Sequence, residues 1–239
     1  MVRFVYALKR VFPVVFLATI LAGCATQGPF ATAEKLDRRA ADLKIVLMPP
    51  DITLSELTVG GVNEVNAQWT TAAKTYSQEA LQTFLQQRNT QLIAYKEPEN
   101  ADAEHMHEQL IKLHEAVGSS ILLHQYFQPL QLPSKKDKFD WTMGGDVQAL
   151  GRDEGADYAL FVHITDSYAS SARIATQVLM ALVFHTAVQG GVQVGYASLV
   201  DLRTGEIVWF NRLQRGTGDL RKPEAARETI EVLMSKFPS

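Results

Sequence analysis

Tyr158-Ala159-Leu160-Phe161-Val162-His163-Ile164-Thr165 decides the fold. The run is aromatic and β-branched, and neither alternate set of positions is polar before His163. A strand with that pattern is covered on both faces, which places it at the centre of a sheet with helices above and below. Gly155 stands just ahead of it, where it can end a short helix over residues 145–152.

The rest of the chain supplies the layers. Upstream, Lys44-Ile45-Val46-Leu47-Met48 reads as a buried strand that Pro49-Pro50 terminates. Over residues 63–88, Val65, Trp69, Ala73, Tyr76, Ala80 and Phe84 recur at spacings of three and four, which predicts an amphipathic helix. Residues 90–95 read as a second strand. Asn100 caps a second helix, with Asp102 and Glu104 in its first turn, where the dipole favours negative charge, and Met106, Leu110, Leu113 and Val117 as its stripe. Pro129, Pro133 and the charges after them predict an exposed loop. Downstream, Val192, Val194, Tyr196 and Val200 alternate, as do Ile207, Trp209 and Leu213, so the two runs form a hairpin around Gly205. Pro223 opens a final helix with the stripe Ala226, Ile230, Leu233 and Phe237. The expected fold is a single α/β domain of two or three layers over residues 43–239. Its mixed sheet has about five strands, in the order β-α-β-α-(α)-β-(α)-β-β-α.

The amino terminus addresses this domain. Arg3, Lys9 and Arg10 precede an apolar run of about a dozen residues, long enough for a signal peptide and short of the ~20 that span a bilayer. It ends in Leu21-Ala22-Gly23-Cys24, which carries the chain's single cysteine. That tetrapeptide resembles the lipobox of bacterial lipoproteins, in which cleavage falls between the residues here numbered Gly23 and Cys24 and the cysteine receives a diacylglycerol. The resemblance implies a lipoprotein signal over residues 1–23, an acylated terminus and tether over 24–42, and bilayer anchoring through Cys24. Ala25, in place of aspartate, implies the outer membrane, with the domain facing the periplasm. About 18 tether residues reach roughly 25 Å as a coil and about 60 Å when stretched.

With 46% hydrophobic residues, 21% charged and a net charge of -3, the chain has the balance of a globular domain and lacks the basic footprint of a nucleic-acid binder. Six histidines are the first place to look for chemistry. Glu104-His105-Met106-His107-Glu108 is the densest cluster, but Glu104 with His107 has no second Glu-x-x-His to complete a di-iron site, and the zinc-protease spacing is missing. His105 and His107 are therefore expected to flank the stripe in solvent and remain weak metal candidates. No catalytic residue and no cofactor is assigned. His163 reads as a core or sheet-face histidine, and Asp166-Ser167-Tyr168 as the end of the central strand, where α/β sheets often bind ligands.

Residues 174–188 are harder to place. Thr176, Gln177, His185 and Thr186 scatter around a helical wheel, so no solvated face emerges. The stretch is either a helix buried between layers or an insertion, near 172–189, that meets a partner or a membrane. On the second reading Ile174, Val178, Leu179, Leu182, Val183 and Phe184 are the candidate interaction residues.

Lys44 to Pro50, the segment Gly155-Ala156-Asp157-Tyr158, and the hairpin from Ala197-Ser198-Leu199-Val200-Asp201 to Gly205-Glu206-Ile207-Val208-Trp209 together resemble the α/β domain shared by three groups. These are the amino-terminal part of the Tol-system translocation protein, the lipoprotein of the curli secretion channel, and small outer-membrane lipoproteins. The resemblance implies a non-catalytic assembly or accessory module with one or more envelope proteins as partners, and allows a homo-oligomer. The chain departs from the curli channel in lacking two segments of about ten residues with lipid-facing alternation, so a pore is not expected. The alternative is a lipid-anchored periplasmic enzyme, a hydrolase or metal-dependent one, using the region of His105 and His107.

Overall fold

A computed structural model describes residues 44–136, 138–184, 191–216 and 218–238, with side chains at all of these but 182–184. Gly23, Cys24, the signal segment and the tether lie outside the described residues, as do 185–188 of the unplaced apolar stretch.

The central strand, β5 (Tyr158–Ala169), runs to twelve residues. Along one edge it pairs in parallel first with β1 (Lys44–Leu47) and then with β2 (Asp51–Leu57). Along the other it pairs antiparallel with β6 (Gln193–Asp201), which pairs antiparallel with β7 (Ile207–Arg215). Two short strands complete the sheet: β3 (Asn63–Val65) lies antiparallel to β2, and β4 (Gln91–Ile93) lies parallel to β1. The sheet has seven strands.

Two of those strands were not anticipated. Pro49-Pro50 interrupts the first strand without ending its path. Leu47 opposes Leu160 and Asp51 opposes His163, so four steps on one strand match three on the other. The extra residue forms a bulge, the kind of site where residues lacking an N–H are tolerated in a sheet. Met48 N–H still donates to Leu160 O, at 3.1 Å, before the break. Asn63–Val65, expected to start the first helix, is β3; the helix begins after Asn66, whose side chain accepts from Trp69 N–H at 3.0 Å.

Helices cover both faces of the sheet. On one face lie α1 (Ala67–Gln86) and, after Pro223, α5 (Pro223–Leu233). Leu81, Leu85, Ile230 and Leu233 bury there against Leu54, Leu160 and Trp209. On the other lie α2 (Ala101–Ile121) and α3 (Val147–Glu154), closed by Gly155 at φ 68°. Leu110, Ile121, Val147 and Leu150 pack there against Val46, Phe161 and Phe210. The result is three layers, with β5 and β6 buried on both sides as the sequence of β5 requires.

The buried stripe of α2 is turned from the expected one. Leu110 is shared, but His107, His114, Gly118 and Ile121 face the core, and Leu113 is exposed. The cause is Tyr196 on β6, whose ring lies against the helix backbone at Gly118. A Cβ there would fall 2.0 Å from the ring, so only glycine allows the approach.

Candidate functional site

A further helix, α4 (Ser171–Phe184), lies in the chain between β5 and β6 and belongs to neither layer. From Ser171 to Ala181 none of its residues is buried. Only Arg173, Gln177 and Ala181, spaced four apart and hence on one side, are partly covered. Ile174, Val178, Leu179 and Met180 point outward, Leu179 with 65% of its surface exposed. An ordinary surface helix turns its apolar stripe inward and its polar face to water. Here Arg173 and Gln177 turn towards the domain, while Ile174, Val178, Leu179 and Met180 face out with Thr176 among them. From Ser171 to Ala181, the burial between layers that the sequence allowed does not occur.

Local contacts fix this arrangement. Ser170 N–H donates to Leu57 O at 3.0 Å, and Ser170 Oγ accepts from Arg173 N–H at 3.1 Å, which starts the helix at the end of the sheet. Arg173 Nη1 then donates to Thr58 O at 3.1 Å in the adjoining β2–β3 turn. That turn adds Val59 and Val62, at 51% and 59% exposure, and across β5 from it lies exposed Val192, its N–H donating to Ser167 Oγ at 3.1 Å. Leu57 pairs with Ala169 and Ile45 with Tyr158, so this apolar end of the sheet is the far end from Lys44, where the tether arrives.

The three expected interaction residues Ile174, Val178 and Leu179 sit on the outward face. Leu182, Val183 and Phe184 fall within α4, without described side chains. Met180, Val59, Val62 and Val192 were missed. Val59 and Val62 were visible in the chain as valines around Gly60-Gly61, but only the pairing of β2 with β5 brings them to α4.

A polar cluster sits midway along the sheet at the edge of α2. Asp51 Oδ2 accepts from His163 Nδ1 and from Lys112 Nζ, each at 3.1 Å, and Lys112 Nζ also donates to Glu115 Oε2 at 3.1 Å. Burial raises the Asp51 carboxyl, but its bonds to His163 and Lys112 outweigh that and hold it at about 2. The His163 ring stacks on Tyr196, centroids 5.1 Å apart, and Tyr196 Oη donates to Glu115 O at 2.6 Å. Possible ligand atoms of Asp51, Glu115 and His163 lie within 4.8 Å of one another. Lys112 already supplies the cation between the two carboxylates, so the cluster is complete as an ion network that ties α2 to the sheet.

The histidines expected to flank α2 in solvent divide. His105 is exposed against Gln109, with 2.9 Å between Nε2 and Nε2. His107 is only 3% exposed, its Nδ1 lies 3.0 Å from Tyr95 Oη, and its Nε2 has no partner. His114 is 1% exposed, 2.9 Å from Ser198 Oγ, and burial with nearby His163 pushes it down to about 3. Helical rotation to fit Tyr196 places His107 in the core, against expectation, together with His114. His105 and His107 thus serve different surroundings, and neither joins a group of three possible ligands among the described residues.

Asp166-Ser167-Tyr168 lies within β5 and not after it. Asp166 is buried, accepting from Tyr168 Oη and from Gln193 Nε2 at 2.8 Å, while Tyr168 Oη accepts from Leu220 N–H at 2.8 Å. Burial raises the Asp166 carboxyl despite these donors. Its Oδ2 is engaged by Gln193 and Tyr168, and through Tyr168 it holds the segment before α5 against the sheet.

Among the described residues no helix is long and apolar enough to cross a membrane. No protein-family model matches the chain, and no curated protein sequence does. Solved structures with a similar course include the PelC dodecamer from Paraburkholderia phytofirmans, at 13% identity and TM-score 0.36, covering 84% of this chain and 92% of that one. The LpoB C-terminal domain from Salmonella enterica matches at 13% identity and TM-score 0.29, over 77% and 95% of the two chains. Lipoprotein GNA1162 from Neisseria meningitidis matches at 12% identity and TM-score 0.29, over 72% and 79%. At such values the functional reading rests on this chain's own residues.

Proposed function

We propose that the chain is a lipid-anchored envelope lipoprotein whose α/β domain works as a non-catalytic assembly or accessory module beside the outer membrane. Cys24 carries the lipid, the tether holds the domain within about 60 Å of the bilayer, and one or more envelope proteins are its partners. The observation that carries the reading is α4, a helix with its apolar residues turned away from its own domain. Exposed apolar surface of this kind marks a contact made with another body. The polar groups best placed for chemistry, around Asp51 and around Asp166, are engaged in holding elements together.

Crosslinking in intact cells, followed by detergent extraction and identification of what travels with the protein, tests this. Specific envelope proteins are expected to be recovered, and a Cys24→Ser chain is expected to leave the membrane fraction or stay unprocessed. Recovery of a lone monomer, or unchanged membrane fractionation of Cys24→Ser, counts against it.

A further inference from the structure

The proposed function leaves open which apolar body covers α4. We infer that it is the lipid leaflet holding Cys24, so that α4 is a second, non-covalent membrane contact; this rests on the reading of Cys24 as the lipid anchor.

Two features of the molecule support lipid over protein. The first is the absence of direction in the outward face. A protein interface carries about one hydrogen bond per 100–200 Å², and its partner must find groups to bond. Along α4 the single charged residue, Arg173, faces inward and is tied to Thr58 O, and the Thr176 hydroxyl donates to Ala172 O of its own helix at 2.9 Å. What remains outward from Ile174 to Met180 is alanine and large aliphatic side chains, which hydrocarbon covers without needing a polar counterpart.

The second is reach. The tether arrives at Lys44, beside the start of β5, and α4 leaves from its end. Twelve strand residues separate the two ends by roughly 36 Å. The tether's stretched limit of about 60 Å covers that distance, so lipid and helix can engage the same leaflet. Val59, Val62 and Val192 stand beside the helix base and would meet the headgroup boundary with it. The opposite end of the sheet, with Asp157, Asp201 and Arg203, then points away from the leaflet.

The test uses the full, processed protein in vesicles of phosphatidylethanolamine and phosphatidylglycerol that carry nitroxide-labelled acyl chains. Since Cys24 is the only native cysteine, its acylation leaves an introduced thiol as the one reactive site. A polarity-sensitive dye is placed on Leu179→Cys, on Val178→Cys as a second position, and on Arg203→Cys at the far end as control. The expected result is blue-shifted, strongly quenched emission at 179 and 178 and none at 203, with the mass of the native terminus showing acylated Cys24. Acylated protein whose 178 and 179 probes are as unquenched as the 203 probe overturns the lipid assignment and leaves the anchored module standing. A non-acylated terminus overturns the anchor on which the inference rests. Quenching at 178 and 179 in that chain would still support membrane contact by α4.

Discussion

Two helices of similar length behave in opposite ways in this molecule. Helix α5 is rich in charge, with Glu224, Arg227, Glu228 and Glu231, yet it buries Ala226, Thr229, Ile230 and Leu233. Helix α4 has one charge and buries nothing from Ser171 to Ala181. Apolar content therefore does not decide which helix enters the core; the direction of the apolar residues does. In α5 they share one side. In α4 the inward side is taken by Arg173 and Gln177, and the sheet beneath has already been covered by the pairs α1 with α5 and α2 with α3. A helix so placed contributes little to the folded state and is free to serve contact.

That contrast can be broken by substitution. Leu233→Ala in α5 is expected to cost about 2–5 kcal/mol, because the lost contacts leave a cavity behind. Gly118→Ala should cost about 1–3 kcal/mol through the clash with the Tyr196 ring. Both are read as shifts of the denaturant midpoint.

Acid should loosen α2 next. His114 is buried and held below its unfolded range, so the unfolded chain binds the proton first, and stability falls as pH drops from about 6.5 towards 3. The slope approaches 1.4 kcal/mol per pH unit for one group, and His114→Gln should flatten it. Asp51 has a depressed carboxyl pKa, so its contribution is present above about 4 and is lost as pH falls towards 2. With Lys112 largely exposed, that contribution is on the order of 1 kcal/mol. Asp51→Asn, followed by acid unfolding, checks it. Smallest of all, Leu179→Ala should change stability by no more than about 0.5 kcal/mol. A loss comparable with that of Leu233→Ala would place α4 in the core and remove the contrast.

Much of the architecture was legible because burial leaves periodic marks. The double-sided run of β5, the hairpin of β6 and β7, the Asn100 cap and the stripe of α5 each appear at or near their expected positions. Pro49-Pro50 ends β1 as expected, but β2 went unseen because the bulge lets the chain resume its path along β5. The stripe of α2 was offset because a tyrosine 78 residues further along the chain from Gly118 sets its rotation, through a contact no local window contains. For α4 the scatter of polar residues was visible, but its meaning was not. Arg173 reads as a solvated charge until Thr58 O is found accepting from its guanidinium. The lipid anchor rests on Leu21-Ala22-Gly23-Cys24, which lies outside the described residues.

The outward face of α4 in the living envelope is tested most directly by alkylating Leu179→Cys and Arg203→Cys chains in cells with permeabilised outer membranes, using a thiol reagent that does not enter lipid. Position 203, its arginine side chain 70% exposed, should react at once, and position 179 should remain protected. Equal reaction at both positions would show α4 standing bare in water and contradict the account.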